Sequence, residues 1–200
     1  MDLSTNMMGL DLANPLVVGA SPLSDHLDIC KQLEDAGAAA IVMHSLFMEQ
    51  VARDQLGALY DIAGVADTHA EALSFFPEPD DYALGPEAYL DQVRALKASL
   101  DIPVIASLNG ITTGAWTRYA GLLEQAGADG IELNVYHLPL DGRESPAQVE
   151  ARYINVLRAV KCTVSIPVGV KLISFLSSPV YLARQLVTEG ADGLVLFNRL

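Results

Sequence analysis

Six short, nearly uninterrupted aliphatic runs punctuate the chain: Pro15–Ala20, Ala40–Ser45, Pro103–Leu108, Gly130–Tyr136, Pro167–Ile173 and Gly193–Asn198. Runs of this length without polar alternation are expected of strands covered on both faces, as in a parallel sheet. The segments between them carry a helical period. Val149, Tyr153, Val156 and Val160 fall on one helix face, and Trp116, Tyr119, Ala120 and Leu123 do the same in the preceding unit. Ser145-Pro146 and Ser178-Pro179 each set a capping hydroxyl before a proline at the first helical position. Gln148, three residues after Ser145, completes a capping-box pattern. The aromatic residues of these stripes read as packing groups.

A short motif recurs where a helix should end and a strand begin: Gly37-Ala38-Ala39-Ala40-Ile41, Gly127-Ala128-Asp129-Gly130-Ile131 and Gly190-Ala191-Asp192-Gly193-Leu194. Each leading glycine suits the left-handed residue that closes a helix. The later copies lie two β-α units apart, the spacing expected of successive crossovers. Unbroken β-α alternation predicts an α/β fold, a TIM (β/α)8-type barrel forming a single domain over residues 1–200. About six β-α units are visible, so the barrel is expected to be incomplete. A doubly wound open sheet is the competing architecture. No GxGxxG follows the first run and no Walker loop occurs, which weighs against its nucleotide-binding versions. Residues 46–85 form one long irregular stretch, expected to be a loop on the active-site face.

Composition narrows the function classes. A chain of 200 residues, 51% hydrophobic and 18% charged, has the material for a sizeable core. Twelve basic against 25 acidic residues give a net charge of −13, which excludes a broad nucleic-acid groove. Cys30 and Cys162 cannot form a disulfide framework, have no metal-ligand neighbours, and are expected to be buried on helices. No basic residue precedes Lys31 and no apolar run reaches bilayer length. The expectation is a cytoplasmic chain with no membrane partner.

The chain opens Leu3-Ser4-Thr5, then Gly9-Leu10-Asp11-Leu12-Ala13-Asn14-Pro15-Leu16 and Gly19-Ala20-Ser21-Pro22. His44-Ser45 follows the second run, Glu132-Leu133-Asn134 lies on the fourth, Gly169-Val170-Lys171-Leu172 on the fifth, and Asn198 ends the sixth. In this order and at strand ends, these motifs resemble the dihydroorotate dehydrogenase family over nearly the whole chain. The resemblance implies an N-terminal hairpin capping the barrel bottom and an FMN cofactor. It implies FMN contacts from Ala20, Ser21, His44, Ser45, Asn134, Lys171 and Asn198. It also places His137 where the family carries its catalytic base.

The departures fall largely on the substrate side. The family's Lys-Ser is His44-Ser45 here, and its Asn-Leu-Ser-Cys-Pro-Asn segment is Asn134-Val135-Tyr136-His137-Leu138-Pro139. Ser74-Phe75-Phe76-Pro77 stands where an asparagine-bearing loop grips orotate. The resemblance thus implies an FMN-dependent oxidation of a small carbon acid other than dihydroorotate.

The residue types suit that chemistry. A lysine within an apolar strand must reach a cleft or a partner, and Lys171 can offset negative charge on a reduced flavin. The Asn134 amide can both donate to and accept from a ring edge. Histidine is a competent base near neutral pH, which makes His137 the candidate base. Two other readings stay open: a lyase using Lys171 as a Schiff-base nucleophile, and a non-catalytic barrel relative. A small-molecule substrate is expected. A homo-oligomer or a separate electron-transfer partner is compatible with the sequence.

Overall fold

The computed structural model describes residues 1–47, 86–109, 113–135, 137 and 142–198. The chain begins with an antiparallel hairpin, β1 (Thr5–Met7) and β2 (Leu10–Leu12). Its two-residue turn uses Met8 at φ 56° and Gly9 at φ 82°, the paired positive values of a type I′ connection. There follow β3 (Val17–Ser21), α1 (Leu27–Asp35), β4 (Ala40–Phe47), α2 (Pro86–Ser99) and β5 (Val104–Asn109). Next come α3 (Thr113–Gln125), β6 (Gly130–Asn134), α4 (Pro146–Lys161), β7 (Val168–Leu172), α5 (Pro179–Thr188) and β8 (Gly193–Leu196). Strands β3 to β8 form one parallel sheet in sequence order, the succession of a TIM-type barrel with six of its strands present.

The helices cover the outer face of the sheet. Ile41, Val104, Ile131, Val168 and Val170 point outward into a fully buried core shared with Trp116, Leu123, Tyr153 and Val160. The two stripes read from the sequence are therefore the buried faces of α3 and α4. The hairpin closes the bottom of the inner face. A side chain at Gly193 would meet Met8 Cγ at 2.5 Å, and one at Gly169 would meet Met8 Sδ at 2.9 Å, so glycine there makes room for the Met8 plug.

The turns from helix to strand repeat. Gly37, Gly127 and Gly190 all have positive φ, and Ala38, Ala128 and Ala191 each donate a backbone hydrogen bond back to Leu33, Leu123 and Leu186. In the last two units the aspartate of the motif adds a clamp. Asp129 accepts from Lys97 Nζ and from the Val104 amide, both at 2.7 Å. Asp192 likewise accepts from Lys161 Nζ at 2.8 Å and the Val168 amide at 2.7 Å. Ala39 stands at the matching place in the first unit and cannot do this.

Several expectations need correction. Pro15, Pro103 and Pro167 precede their strands, because proline has no N–H to give the ladder. The carbonyls of Pro103 and Pro167 still accept, from Ile41 and Ile131. The fourth and sixth runs end earlier than expected, at Asn134 and Leu196. Strand β4 runs on through Leu46 and Phe47, so the stretch expected to loop from residue 46 begins as strand; residues 48–85 lie outside the described residues. Ser145 forms the capping box with Gln148, but the Ser178 side chain makes no capping bond. Cys30 is buried, whereas Cys162, one residue past the last turn of α4, is exposed. Among the described residues no helix is long and apolar enough to cross a membrane.

Candidate active site

Six side chains from five segments join in one hydrogen-bonded chain on the inner face of the sheet. Strand pairing sets Ser45 opposite Ser107, Ser107 opposite Glu132, and Asn134 opposite Lys171. Asn198 Nδ2 donates to Asn134 Oδ1 at 2.8 Å, and Asn134 Nδ2 donates to Ser45 Oγ at 2.9 Å. Ser45 and Ser107 hydroxyls are 2.8 Å apart, and Ser107 donates to Glu132 Oε1 at 3.2 Å. With its own proton committed to Glu132, Ser107 must accept from Ser45. Lys171 Nζ reaches the same Glu132 oxygen at 3.3 Å. Every donor therefore points toward the Glu132 carboxylate, the acceptor-only end of the chain. Ser45, Ser107, Glu132 and Asn134 are all buried, so each polar group gains a partner it needs away from water.

Backbone geometry brings these groups together. Between Val42 and Ser45 the pairing of β4 with β5 shifts register, a bulge that turns Ser45 to the inside. The bulge frees the His44 carbonyl and the Ser107 amide from the ladder. Tyr89, fully buried on α2, repairs both: its Oη donates to His44 O at 2.9 Å and accepts from Ser107 N at 3.1 Å. Burial pushes the Tyr89 phenol well above its ordinary range, so it stays neutral. The backbone N–H of Asn198 donates to Leu172 O at 2.8 Å, which carries Asn198 up beside the tip of β7.

An apolar cavity of about 210 Å³ adjoins the polar chain. Met7 and Met8 of the hairpin, Val17, Gly19, Ala20, Val42, Ile105 and Val195 line it together with Glu132 and Lys171. Of the residues expected to hold FMN, Ser45, Asn134, Lys171 and Asn198 thus meet in one array, and Ala20 lines the adjoining cavity. Ser21 sits where β3 ends, and its carbonyl accepts from Ser24 Oγ at 2.9 Å. His44 lies apart from the array. Its Nδ1 faces Asp25 Oδ1 at hydrogen-bonding distance, and its ring packs edge-on to Tyr89 with centroids 5.4 Å apart. His137 is also apart, on the loop after β6, with Nε2 2.7 Å from Glu144 Oε2. Pro139 and residues 74–77 lie outside the described residues.

Sequence reasoning gave no role to three residues of the site, although Glu132 appears in the Glu132-Leu133-Asn134 motif. Glu132 and Ser107 are polar residues inside aliphatic runs, the same signal that singled out Lys171. Tyr89 follows a stretch with no readable period, and only the bulge it serves explains it.

A six-stranded parallel half-barrel in sequence order has the architecture of a (β/α)8 barrel. No family model matches the chain. It is 28% identical over 98% of its length to the catalytic subunit of dihydroorotate dehydrogenase B (NAD(+)) from Thermoplasma volcanium, covering 62% of that protein. It is 26% identical, again over 98% of its length, to subunit PreA of the NAD-dependent dihydropyrimidine dehydrogenase of Escherichia coli, covering 48% of it. Among solved structures it is similar to a phosphonopyruvate hydrolase, with a TM-score of 0.55 and 19% identity over 92% of the chain and 58% of that structure. The chain is thus similar to dihydroorotate dehydrogenase B catalytic subunits, and it spans about three fifths of the Thermoplasma subunit's length.

Proposed function

We propose that the chain carries the flavin-binding face of an FMN-dependent oxidoreductase that oxidises a small carbon acid. The observation that supports this most is the polar chain ending on Lys171 and Glu132 beside an apolar cavity. A planar ring with a polar edge fits such a place: aliphatic walls for the ring, amides and an ammonium for the edge. FMN, when bound, would supply a ring nitrogen that accepts hydride. Asn134 and Asn198 would meet the ring edge with amide groups, Ser45 would hold Asn134 in place, and Ala20 would form part of the wall. Lys171 would set positive charge where the reduced ring gathers negative charge. His137 would take the proton that the substrate carbon loses.

The lyase reading has less support. A Schiff-base lysine attacks as a neutral amine, whereas Lys171 Nζ faces the Glu132 carboxyl at 3.3 Å, a partner that favours the charged form. The substrate would be a small carbon acid less polar than dihydroorotate, because Pro139, Phe75 and Phe76 replace amide-bearing residues of the related family. The two cysteines are both free, in keeping with a cytoplasmic setting.

The test is flavin titration of the purified protein, followed by reduction. FMN should bind with a perturbed visible spectrum, and Lys171→Ala should lower the flavin potential more than it weakens binding. A protein that leaves the FMN spectrum unchanged would overturn the proposal. Turnover of dihydroorotate with a micromolar KM would overturn the substrate reading alone.

A further inference from the structure

His137 replaces the family's cysteine, and the structure gives it a partner of its own. The loop after β6 brings its Nε2 to 2.7 Å from Glu144 Oε2. The other Glu144 oxygen accepts from Arg152 Nη2 at 2.9 Å, from the second turn of α4. Glu144 directly precedes Ser145, whose capping box with Gln148 fixes the start of that helix. The carboxylate is therefore pinned from three sides: by the backbone it rides on, by Arg152 and by the imidazole. The Glu144 side chain is 16% exposed and that of His137 26%, so both are largely shielded.

A carboxylate only accepts hydrogen bonds, so the imidazole nitrogen facing it must carry a proton. For a neutral ring this leaves the lone pair on Nδ1. His44 shows the opposite arrangement, with Nδ1 turned to Asp25 and the lone pair left on Nε2. As neutral rings, His137 and His44 would therefore be opposite tautomers, each held by a different carboxylate.

We infer that Glu144 is the positioning residue for His137, holding it as the Nε2–H tautomer so that Nδ1 is the atom that receives the substrate proton. This rests on the reading of the site as a flavin oxidoreductase. In that reaction one substrate carbon loses a proton to Nδ1, and its neighbour loses hydride, with the electron pair, to the flavin. A carbon–carbon double bond forms, and His137 becomes an imidazolium whose charge faces Glu144. The hydrogen bond from His137, followed by that from Arg152, holds the Glu144 carboxyl below its usual range, so the anion is present before the proton arrives. A glutamate tethered merely to close the loop would be satisfied by Arg152 alone and would leave the ring free to choose its tautomer.

The test is ring nitrogen NMR on the full chain labelled in its four histidines, under alkaline conditions where the rings are neutral. In the wild type the His137 signals should be those of the Nε2–H form and the His44 signals those of the Nδ1–H form. Glu144→Ala should turn His137 into a tautomer mixture while His44 is unmoved, and the unmoved His44 signals also report an intact fold. Glu144→Leu, which keeps the side chain's bulk but offers no acceptor, serves if the alanine variant does not fold. In flavin reduction by substrate, Glu144→Gln should slow the step by about 10²-fold, the lower end of what a general base contributes. A His137 signal that keeps its Nε2–H form when Glu144 is replaced by alanine or leucine would overturn the positioning role. Unchanged reduction in His137→Ala, with the tautomer shift still present, would instead overturn the flavin reading on which the base depends.

Discussion

Lys171 Nζ and Glu132 Oε1 lie 3.3 Å apart on the inner face of the sheet, with the two side chains only 13% and 4% exposed. A pair this enclosed depends on both members. Removing one strands the other charge, which costs about 3–5 kcal/mol, whereas neutralising both together costs far less. Lys171→Met should therefore destabilise the protein strongly, and adding Glu132→Gln should restore much of the loss. Urea unfolding of the two single variants and the double variant measures this. Additive effects would show that the two groups do not act as a pair.

Tyr89→Phe is the corresponding test of the bulge in β4. The substitution keeps the ring in the core but removes the Oη that serves His44 O and Ser107 N. Each buried polar group left without a partner costs about 1–3 kcal/mol. The loss should also disturb Ser45 and Ser107, because the same bulge turns Ser45 inward. A lower unfolding midpoint is expected, and with it weaker FMN binding if the proposed flavin site is right. A variant as stable as the wild type would show that the bulge needs no repair.

The barrel floor gives a contrast between two glycines on the inner face. A Cβ at Gly193 would fall 2.5 Å from Met8 Cγ, while one at Gly19 meets nothing within 4 Å. Gly193→Ala should cost about 1–3 kcal/mol through overpacking against the hairpin plug. Gly19→Ala should cost no stability, since its φ is not left-handed and its surroundings are open. Thermal melts of the two variants decide it, and equal melting temperatures would mean that Met8 moves aside freely.

Much of this was legible along the chain because the signals are local. Aliphatic runs gave the six strands, and the periodic stripes around Trp116 and Tyr153 gave helix faces that are indeed buried. The glycines at 37, 127 and 190 end helices as their motif requires. Four of the expected flavin contacts, Ser45, Asn134, Lys171 and Asn198, meet in space because each sits at or near a strand tip. What was not legible depends on pairing across the sheet. Nothing around Ser107 tells that it stands opposite Ser45, and nothing around Tyr89 tells that a bulge needs its hydroxyl. His44 read as the neighbour of Ser45, but the register shift sends its ring to Asp25 and Tyr89. Glu144 gave no sign because its role comes from a contact with His137, seven residues before it along the chain.

Glu124 offers a pH-dependent handle on the same scaffold. One of its oxygens, Oε1, accepts from the Ser165 hydroxyl at 2.6 Å, the Ser165 amide at 2.8 Å and the Ile166 amide at 3.2 Å, tying the end of α3 to the turn before β7. The Ser165 hydroxyl first, then the Ser165 amide, hold the carboxyl below its usual range. A carboxyl whose value is lower in the folded than in the unfolded chain stabilises the fold fully above its unfolded value. That contribution fades as the pH falls through the usual carboxylate range toward the folded value, because the unfolded chain takes up the proton first. Wild-type stability should thus drop more steeply with acid than that of Glu124→Gln, which has no proton to take up. Other carboxylates held low, Glu144 and Glu189 among them, act in both proteins and cancel in the difference. Urea unfolding at a series of pH values should show the gap between the two proteins closing as the solution is acidified. A gap that stays constant from neutral to acid pH would mean that the three hydrogen bonds do not favour the ionised form of Glu124.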